Sequence, residues 1–196
     1  MFTGIITHLG KLEKIKQSCY VFSANISFFK KLGRGGSIAI NGICLTLIAK
    51  QDTKTFSVEV MPETVKKTTI GLLSIGDYVN LELSVSTADL FAGHLVQGHV
   101  DGTAVITAIE PEGNGRIFRF NVNKNLSQYM IEKGSVAVNG ISLTIIEAGK
   151  DFFTVGIIPY TWSHTMLQYS NIGDLVNIEV DVIAKYVEKF VSLRKE

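Results

Sequence analysis

The sequence contains the same motif twice. Residues 36–48 read GSIAINGICLTLI, and residues 134–146 read GSVAVNGISLTII. The copies begin 98 residues apart, which is half of the 196-residue chain. The two copies differ only in which aliphatic residue stands at a position, except that Cys44 in the first copy matches Ser142 in the second. Two long copies predict a duplicated domain, because solenoid repeats are shorter and more numerous.

The repeat extends beyond the central motif. Residues 61–64 (MPET) match 158–161 (IPYT), residues 76–83 match 173–180, and residues 1–6 match 95–100. We therefore predict one domain over residues 1–94, a second over 95–182 and a tail over 183–196. About a hundred residues are enough for each domain to form its own core.

The local patterns predict an all-β fold. Residues 37–40, 45–48, 56–60 and 78–83 are short and either β-branched or alternating, as in strands. Asn41-Gly42 and Asn139-Gly140 predict tight hairpins, because both residue types tolerate positive φ. Many short strands in each half indicate a small closed barrel. Residues 110–115 are expected to form a loop, and residues 27–32 and 126–132 a short helix in each half.

The tail has a different periodicity. Ile183, Tyr186, Val187, Phe190 and Val191 recur at helical spacing, which predicts an amphipathic helix absent from the first half. Two interpretations remain open: the helix packs on its own barrel, or it forms an oligomer interface.

Composition excludes several classes of function. The 19 basic and 18 acidic residues form no basic stripe, so we expect no nucleic-acid partner. No apolar run predicts a membrane span or a signal peptide. Cys19 and Cys44 have no cysteine counterpart in the second half, which favours reduced thiols and a cytoplasmic location. No motif predicts a metal or nucleotide cofactor.

The point of divergence is the first candidate for chemistry. Cys44 and Ser142 follow Asn-Gly-Ile in each half, and they could simply fill equivalent small spaces. Neighbouring polar side chains can serve a ligand, and these are Asn41, Asn139, Thr46 and Thr144. Pro62 and Pro159 predict extended segments that either contact a ligand or blunt a strand edge.

A glycine-rich segment with two histidines joins the halves. His94 and His99 lie in GHLVQGHVDG, residues 93–102, where the glycines suggest close backbone packing. Five residues apart, the two histidines would face opposite sides of an extended chain. We expect a structural role for His94 and a place in the site for His99. His8 and His164 are expected at the surface.

Taken together, these motifs resemble riboflavin synthase of the homotrimeric, duplicated-barrel family. The resemblance is carried by MFTGII at residue 1, NGICLT at 41, GHLVQGHVDG at 93, NGISLT at 139 and NIEVD at 177. It covers the whole chain.

The resemblance implies two tandem six-stranded antiparallel Greek-key barrels and a C-terminal helix that helps to hold a homotrimer. It implies the dismutation of two 6,7-dimethyl-8-ribityllumazine molecules into riboflavin and 5-amino-6-ribitylaminopyrimidinedione, with no cofactor. The two lumazines would meet between the first barrel of one subunit and the second barrel of its neighbour. The resemblance leaves open an association with lumazine synthase.

The resemblance also implies site residues. Catalysis is assigned to His99, Ser142 and Thr144 on the donor methyl group and to Cys44 on the acceptor. Phe2 would close the first pocket, and Asp181 would support the second. The first pocket would comprise Gly4, Ile5, Ile6, Cys44, Leu45, Thr46, Glu59, Val60, Met61, Pro62, Glu63 and Thr64. The second would comprise Gly98, His99, Val100, Lys133, Ser142, Leu143, Thr144, Ile158, Pro159, Tyr160, Thr161, Trp162 and Ser163.

Leu83, Ala92 and Tyr160 depart from the family pattern, so no particular side-chain contact is carried over to them. Two other interpretations fit the sequence less well. A lumazine-binding antenna protein would keep the fold but lose pocket residues from one half, whereas both halves keep theirs here. A flavin-carrying reductase would need a nucleotide-binding domain for which the chain has no room.

Overall fold

Two closed antiparallel barrels account for most of the chain. A computed structural model describes residues 1–25, 27–28, 33–86 and 91–193. The first barrel contains β1 (His8–Lys16), β2 (Cys19–Ser23), β3 (Ser37–Ile40), β4 (Ile43–Lys50), β5 (Thr55–Glu59) and β6 (Tyr78–Leu83). The second contains β7 (Gly102–Glu112), β8 (Gly115–Val122), β9 (Ser135–Val138), β10 (Ile141–Ala148), β11 (Phe152–Ile157) and β12 (Leu175–Val180).

Both barrels have the same topology. The order around the first barrel is β1-β2-β5-β4-β3-β6, and the order around the second is β7-β8-β11-β10-β9-β12. Each closes on its own aromatic core, around Phe22 and Phe56 in the first and Phe118 and Phe120 in the second. The predicted duplicated all-β fold is confirmed.

The predicted hairpins are also present. Asn41 and Asn139 have φ of 47° and 46° and link β3 to β4 and β9 to β10. The predicted loop at residues 110–115 was wrong. β7 continues to Glu112, which pairs with Gly115, so Gly113 and Asn114 alone form the turn.

Short helices follow β5 and β11. α1 (Pro62–Lys67) and α3 (Pro159–His164) each begin with the proline, followed by 3-10 helices at Thr69–Leu72 and Met166–Tyr169. The expectation of extended segments was therefore wrong beyond Met61 and Ile158. Proline suits the first helical turn, where its missing N–H would have no partner.

The helix predicted at residues 126–132 is shorter and earlier, as α2 (Lys124–Ser127). Most of its counterpart at residues 27–32 lies outside the described residues. No helix in the described ranges is long and apolar enough to cross a membrane.

Buried asparagines join the barrels. Asn41 Oδ1 accepts from the Asn80 N–H, and Asn80 Nδ2 donates to the Asn139 carbonyl, at 2.8 and 2.9 Å. The matched bonds run from the Asn177 N–H to Asn139 Oδ1 and from Asn177 Nδ2 to the Asn41 carbonyl. The side chains of Asn80 and Asn177 therefore join the barrels through the backbone carbonyls of Asn139 and Asn41. The side chains of Asn41 and Asn139 are buried and bond within their own barrels, so the expectation that they serve a ligand was wrong.

The tail forms α4 (Val182–Ser192), capped by Asp181, whose side chain accepts from the Ile183 N–H. Polar bonds hold it to the second barrel: Lys185 Nζ lies 2.6 Å from Asp101 Oδ1, and the Tyr129 hydroxyl donates to Glu188. The apolar side chains point away from the barrel, since Ile183, Tyr186, Val187 and Phe190 are each more than half exposed.

Candidate functional site

The diverged pair lies at matched positions on the two barrels. Cys44 on β4 pairs in register with Ala39, and Ser142 on β10 pairs with Ala137. Side chains alternate along a strand, so both residues face away from the core while their neighbours Leu45 and Leu143 are buried. The sites therefore form on the outside of the barrels.

The threonines of the motif share this outer face. Thr46 and Thr144 lie two residues beyond Cys44 and Ser142 and are exposed. They extend each candidate site along its strand.

The histidine at Ser142 is His94. Nδ1 of His94 lies 2.7 Å from Ser142 Oγ, within hydrogen-bonding distance. In the described part of the chain, His94 Nε2 is the one buried side-chain nitrogen or oxygen without a hydrogen-bond partner. Burial lowers the pKa of His94 below its ordinary value, and the nearby Asp181 carboxylate partly opposes this.

His99 is exposed and makes no such contact with Ser142. The structural role expected for His94 missed this pairing, since the local sequence does not reveal which residue the ring meets. The glycine-rich context was a usable signal: Gly93 has no room for a side chain because it packs directly on the Thr3 carbonyl.

Two backbone segments cross between the barrels. The N-terminal segment (residues 2–6) brings the Gly4 carbonyl to the Ser142 N–H, and the linker segment (residues 94–100) brings the Gly98 carbonyl to the Cys44 N–H, both at 2.8 Å. Ile6 likewise packs on the core of the second barrel, and Val100 on that of the first.

The expected grouping was therefore wrong. Gly4 and Ile6 were placed with Cys44, and Gly98 and Val100 with Ser142, but these contacts run to the opposite barrel. Residues of one repeat therefore contact the candidate site residue of the other barrel, because the chain crosses between the barrels at both segments.

Phe2 is fully buried between the barrels with Ala39, Val96 and Ala137, and Cys44 packs against this cluster. It thus forms part of the floor beside Cys44. Asp181 lies close enough to His94 to affect its pKa.

The remaining candidates lie at the ends of β5 and β11 and the start of α1 and α3. Glu59, Met61, Pro62, Glu63, Ile158, Pro159, Tyr160 and Ser163 are exposed, Thr64, Thr161 and Trp162 are half-buried, and Val60 is buried. Ile5 is exposed near Gly4. Trp162 packs between Phe118 and Arg116, whose guanidinium carbon lies 4.0 Å from the indole centroid.

Lys133 is exposed and has a φ of 62°, a conformation that favours glycine. Its N–H donates to Ile145, as Gly35 donates to Leu47 in the first barrel with a φ of 77°. The second barrel thus carries a lysine where the first has glycine, at an energetic cost.

Two site residues were missed altogether. Glu82 and Glu179 are buried, and they accept hydrogen bonds from the backbone of the two crossing segments. A signal was present, because a glutamate recurs at the same place in both copies of a largely apolar strand.

Both halves match one family model, the lumazine binding domain, over residues 3–84 and 97–181. Solved structures of LumP with 6,7-dimethyl-8-(1'-D-ribityl) lumazine and with riboflavin have TM-scores of 0.81 and 0.83 to this chain. At 22% identity they cover 92% of this chain and 99% of their own, and they share its fold. The fold and the repeated site define a tandem lumazine-binding protein.

More similar relatives extend over nearly the full length. Riboflavin synthase of Bacillus subtilis is 42% identical, covering 100% of this chain and 92% of its own. Riboflavin synthase of Schizosaccharomyces pombe is 37% identical, covering 98% and 94%. The chain belongs to the riboflavin synthase family.

Proposed function

We propose that this chain catalyses the dismutation of two 6,7-dimethyl-8-ribityllumazine molecules, giving riboflavin and 5-amino-6-ribitylaminopyrimidinedione. One lumazine gives a four-carbon unit to the other, so the atoms balance without an oxidant or a second substrate. The observation that supports this most directly is the His94–Ser142 pair on one barrel, with Cys44 at the matched position on the other.

Residues of the second barrel would remove the proton from the donor methyl group. A neutral His94 accepts hydrogen bonds through one ring nitrogen, and its lowered pKa keeps it neutral near pH 7. Nδ1 of His94 would accept the proton of the Ser142 hydroxyl, and Ser142 Oγ would take a proton from the substrate methyl group in its place. Thr144, on the same face, would orient the ring system.

The acceptor lumazine would bind to the first barrel. Cys44 would lie beside the carbon that a nucleophile attacks. His99, which the resemblance assigned to the donor methyl group, would instead lie on the acceptor side, because the adjacent Gly98 contacts Cys44. Most of the acceleration would come from holding two reactants in attack geometry. The segments ending β5 and β11, with Lys133, would bind the pyrimidine and ribityl groups.

The chain would act as a cytoplasmic homotrimer whose lumazines meet between subunits, with domain limits at residues 94 and 182. Support comes from α4, which contacts its own barrel through polar side chains and leaves its apolar face exposed. That face is apolar, as expected of a surface that packs against another chain. The family resemblance also leaves association with lumazine synthase as a partner to test.

Incubation of the purified protein with the ribityllumazine alone tests the function. Riboflavin absorbance should rise without any added cofactor. Tight binding of lumazine without flavin formation would instead identify an antenna protein.

A further inference from the structure

Two buried carboxylates hold the crossing segments. Glu82 Oε1 accepts from the Thr3 N–H at 2.7 Å, and its Oε2 accepts from the Gly4 N–H at 3.1 Å. Glu179 binds the linker segment in the same way, with Oε1 accepting from the Gln97 N–H at 2.6 Å and Oε2 from the Gly98 N–H at 2.9 Å. Each carboxylate thus accepts hydrogen bonds from two successive backbone N–H groups.

Each segment bound by a glutamate of one barrel contacts the candidate catalytic residue of the other barrel, Ser142 or Cys44. Glu82 is on β6 of the first barrel, but Gly4 contacts Ser142 on the second. Glu179 is on β12 of the second barrel, but Gly98 contacts Cys44 on the first.

The N-terminal segment reaches His94 as well. The Thr3 carbonyl accepts from the His94 N–H at 3.1 Å, while Thr3 Oγ1 donates to Glu82. Glu82 is therefore one residue removed from both members of the Ser142–His94 pair.

The two segments are closely packed against Ser142 and Cys44. A Cβ on Gly4 would lie 2.6 Å from the Cβ of Ser142, and one on Gly98 would lie 2.5 Å from the Cβ of Cys44. Because both glycines also have φ near 80°, the backbone is fixed as well as close. A displacement of either segment must therefore displace the side chain that it touches.

We propose that Glu82 and Glu179 are crossed positioning residues: Glu82 of the first barrel sets the Ser142–His94 pair of the second, and Glu179 sets Cys44 of the first. Their relevance to catalysis rests on the function proposed above. The crossing itself concerns geometry and can be measured without turnover.

Glutamine substitutions test the crossing. Glu82→Gln and Glu179→Gln keep the shape but turn an NH2 group toward one backbone N–H, so each segment loses half of its anchor. Both are made with Cys19→Ser, which leaves Cys44 as the only cysteine. Glu147→Gln, an exposed carboxylate on β10, is the matched control.

Two readouts report the two sites separately. Glu179→Gln should change the rate at which a neutral maleimide modifies Cys44 by about threefold or more, while Glu82→Gln and Glu147→Gln leave it unchanged. The ¹⁵N ring resonances of His94 should shift in Glu82→Gln and stay in place in Glu179→Gln. Glu82→Gln and Glu179→Gln, unlike the Glu147→Gln control, should each lower kcat with little change in KM.

The opposite pattern, or an equal effect of both variants on both readouts, would overturn the proposal. If circular dichroism shows that a glutamine variant is unfolded, the aspartate variant replaces it, since it keeps the charge and shortens the reach. Crossed readouts without any riboflavin formation would support the positioning and refute the function, so the two failures are distinguishable.

Discussion

Nδ1 of His94 lies 2.7 Å from Oγ of Ser142, although His94 belongs to the junction between the repeats and Ser142 to a strand 48 residues later. The contact gives the second barrel a serine with a basic partner, while Cys44 at the matched position of the first barrel has none among the described contacts. One substrate could thus meet two different environments in a duplicated fold.

The histidines are expected to affect turnover more than binding. His94→Gln should lower kcat about a hundredfold with KM nearly unchanged, because glutamine keeps a hydrogen bond to Ser142 but cannot exchange the proton. His99→Gln and Ser142→Ala should also lower kcat, and His8→Gln, on β1, serves as the control. Steady-state kinetics give these values, and full activity in both His94→Gln and Ser142→Ala would contradict the assignment.

The lowered pKa of His94 predicts a pH dependence of stability. Below about pH 6.5 the unfolded chain binds a proton at this position before the folded chain does, so the His94 contribution to stability is lost as pH falls through the folded pKa. Urea unfolding at about pH 5 and about pH 7.5 should therefore show a smaller difference in His94→Gln than in the parent protein. An identical difference in both proteins would show that His94 titrates normally.

Because Lys133 has a left-handed backbone conformation, its substitution should change lumazine binding and protein stability in opposite directions. Lys133→Gly should raise the free energy of unfolding by about 1 kcal/mol, because glycine adopts this φ without strain, and should weaken lumazine binding. Lys133→Asn is the control, since asparagine tolerates the backbone and removes the charge. Urea unfolding and fluorescence titration measure the two effects, and unchanged affinity in both variants would remove Lys133 from the site.

The exposed apolar face of α4 predicts a change in assembly. Phe190→Glu, or deletion from Ile183 onward, should give monomers with intact barrels, because the exposed face is lost or charged while the barrels do not depend on it. Sedimentation velocity measures the state, and Glu188→Gln on the polar side is the control. Trimers that persist after deletion would return the helix to a role on its own barrel.

The sequence predicted those parts of the fold that local pattern determines. Alternation marked β3 and β6 at their observed limits, and Asn41-Gly42 marked a hairpin because the φ requirement is local. Periodicity marked α4 for the same reason. The duplication gave a second instance of the hairpin and strand patterns, whereas α4 has no counterpart among the described elements of the first half.

The site was less predictable because its contacts are tertiary. Nothing local indicates that Gly4 contacts Ser142 or that Gly98 contacts Cys44, since both contacts depend on how the chain crosses between the barrels. Asn41 and Asn139 were misassigned for a related reason, because both are buried and their side-chain oxygens accept from the backbone of a neighbouring strand. Glu82 was visible as a repeated charge in a largely apolar strand, but only its hydrogen bonds give it a role.

The balance of the reaction tests the central claim most directly. The protein is incubated with ribityllumazine alone, and substrate and both products are quantified by chromatography over time. The account predicts that two lumazines disappear for each riboflavin formed, with an equal amount of the pyrimidinedione. Lumazine recovered unchanged from a stable complex, or riboflavin without the pyrimidinedione, would contradict it.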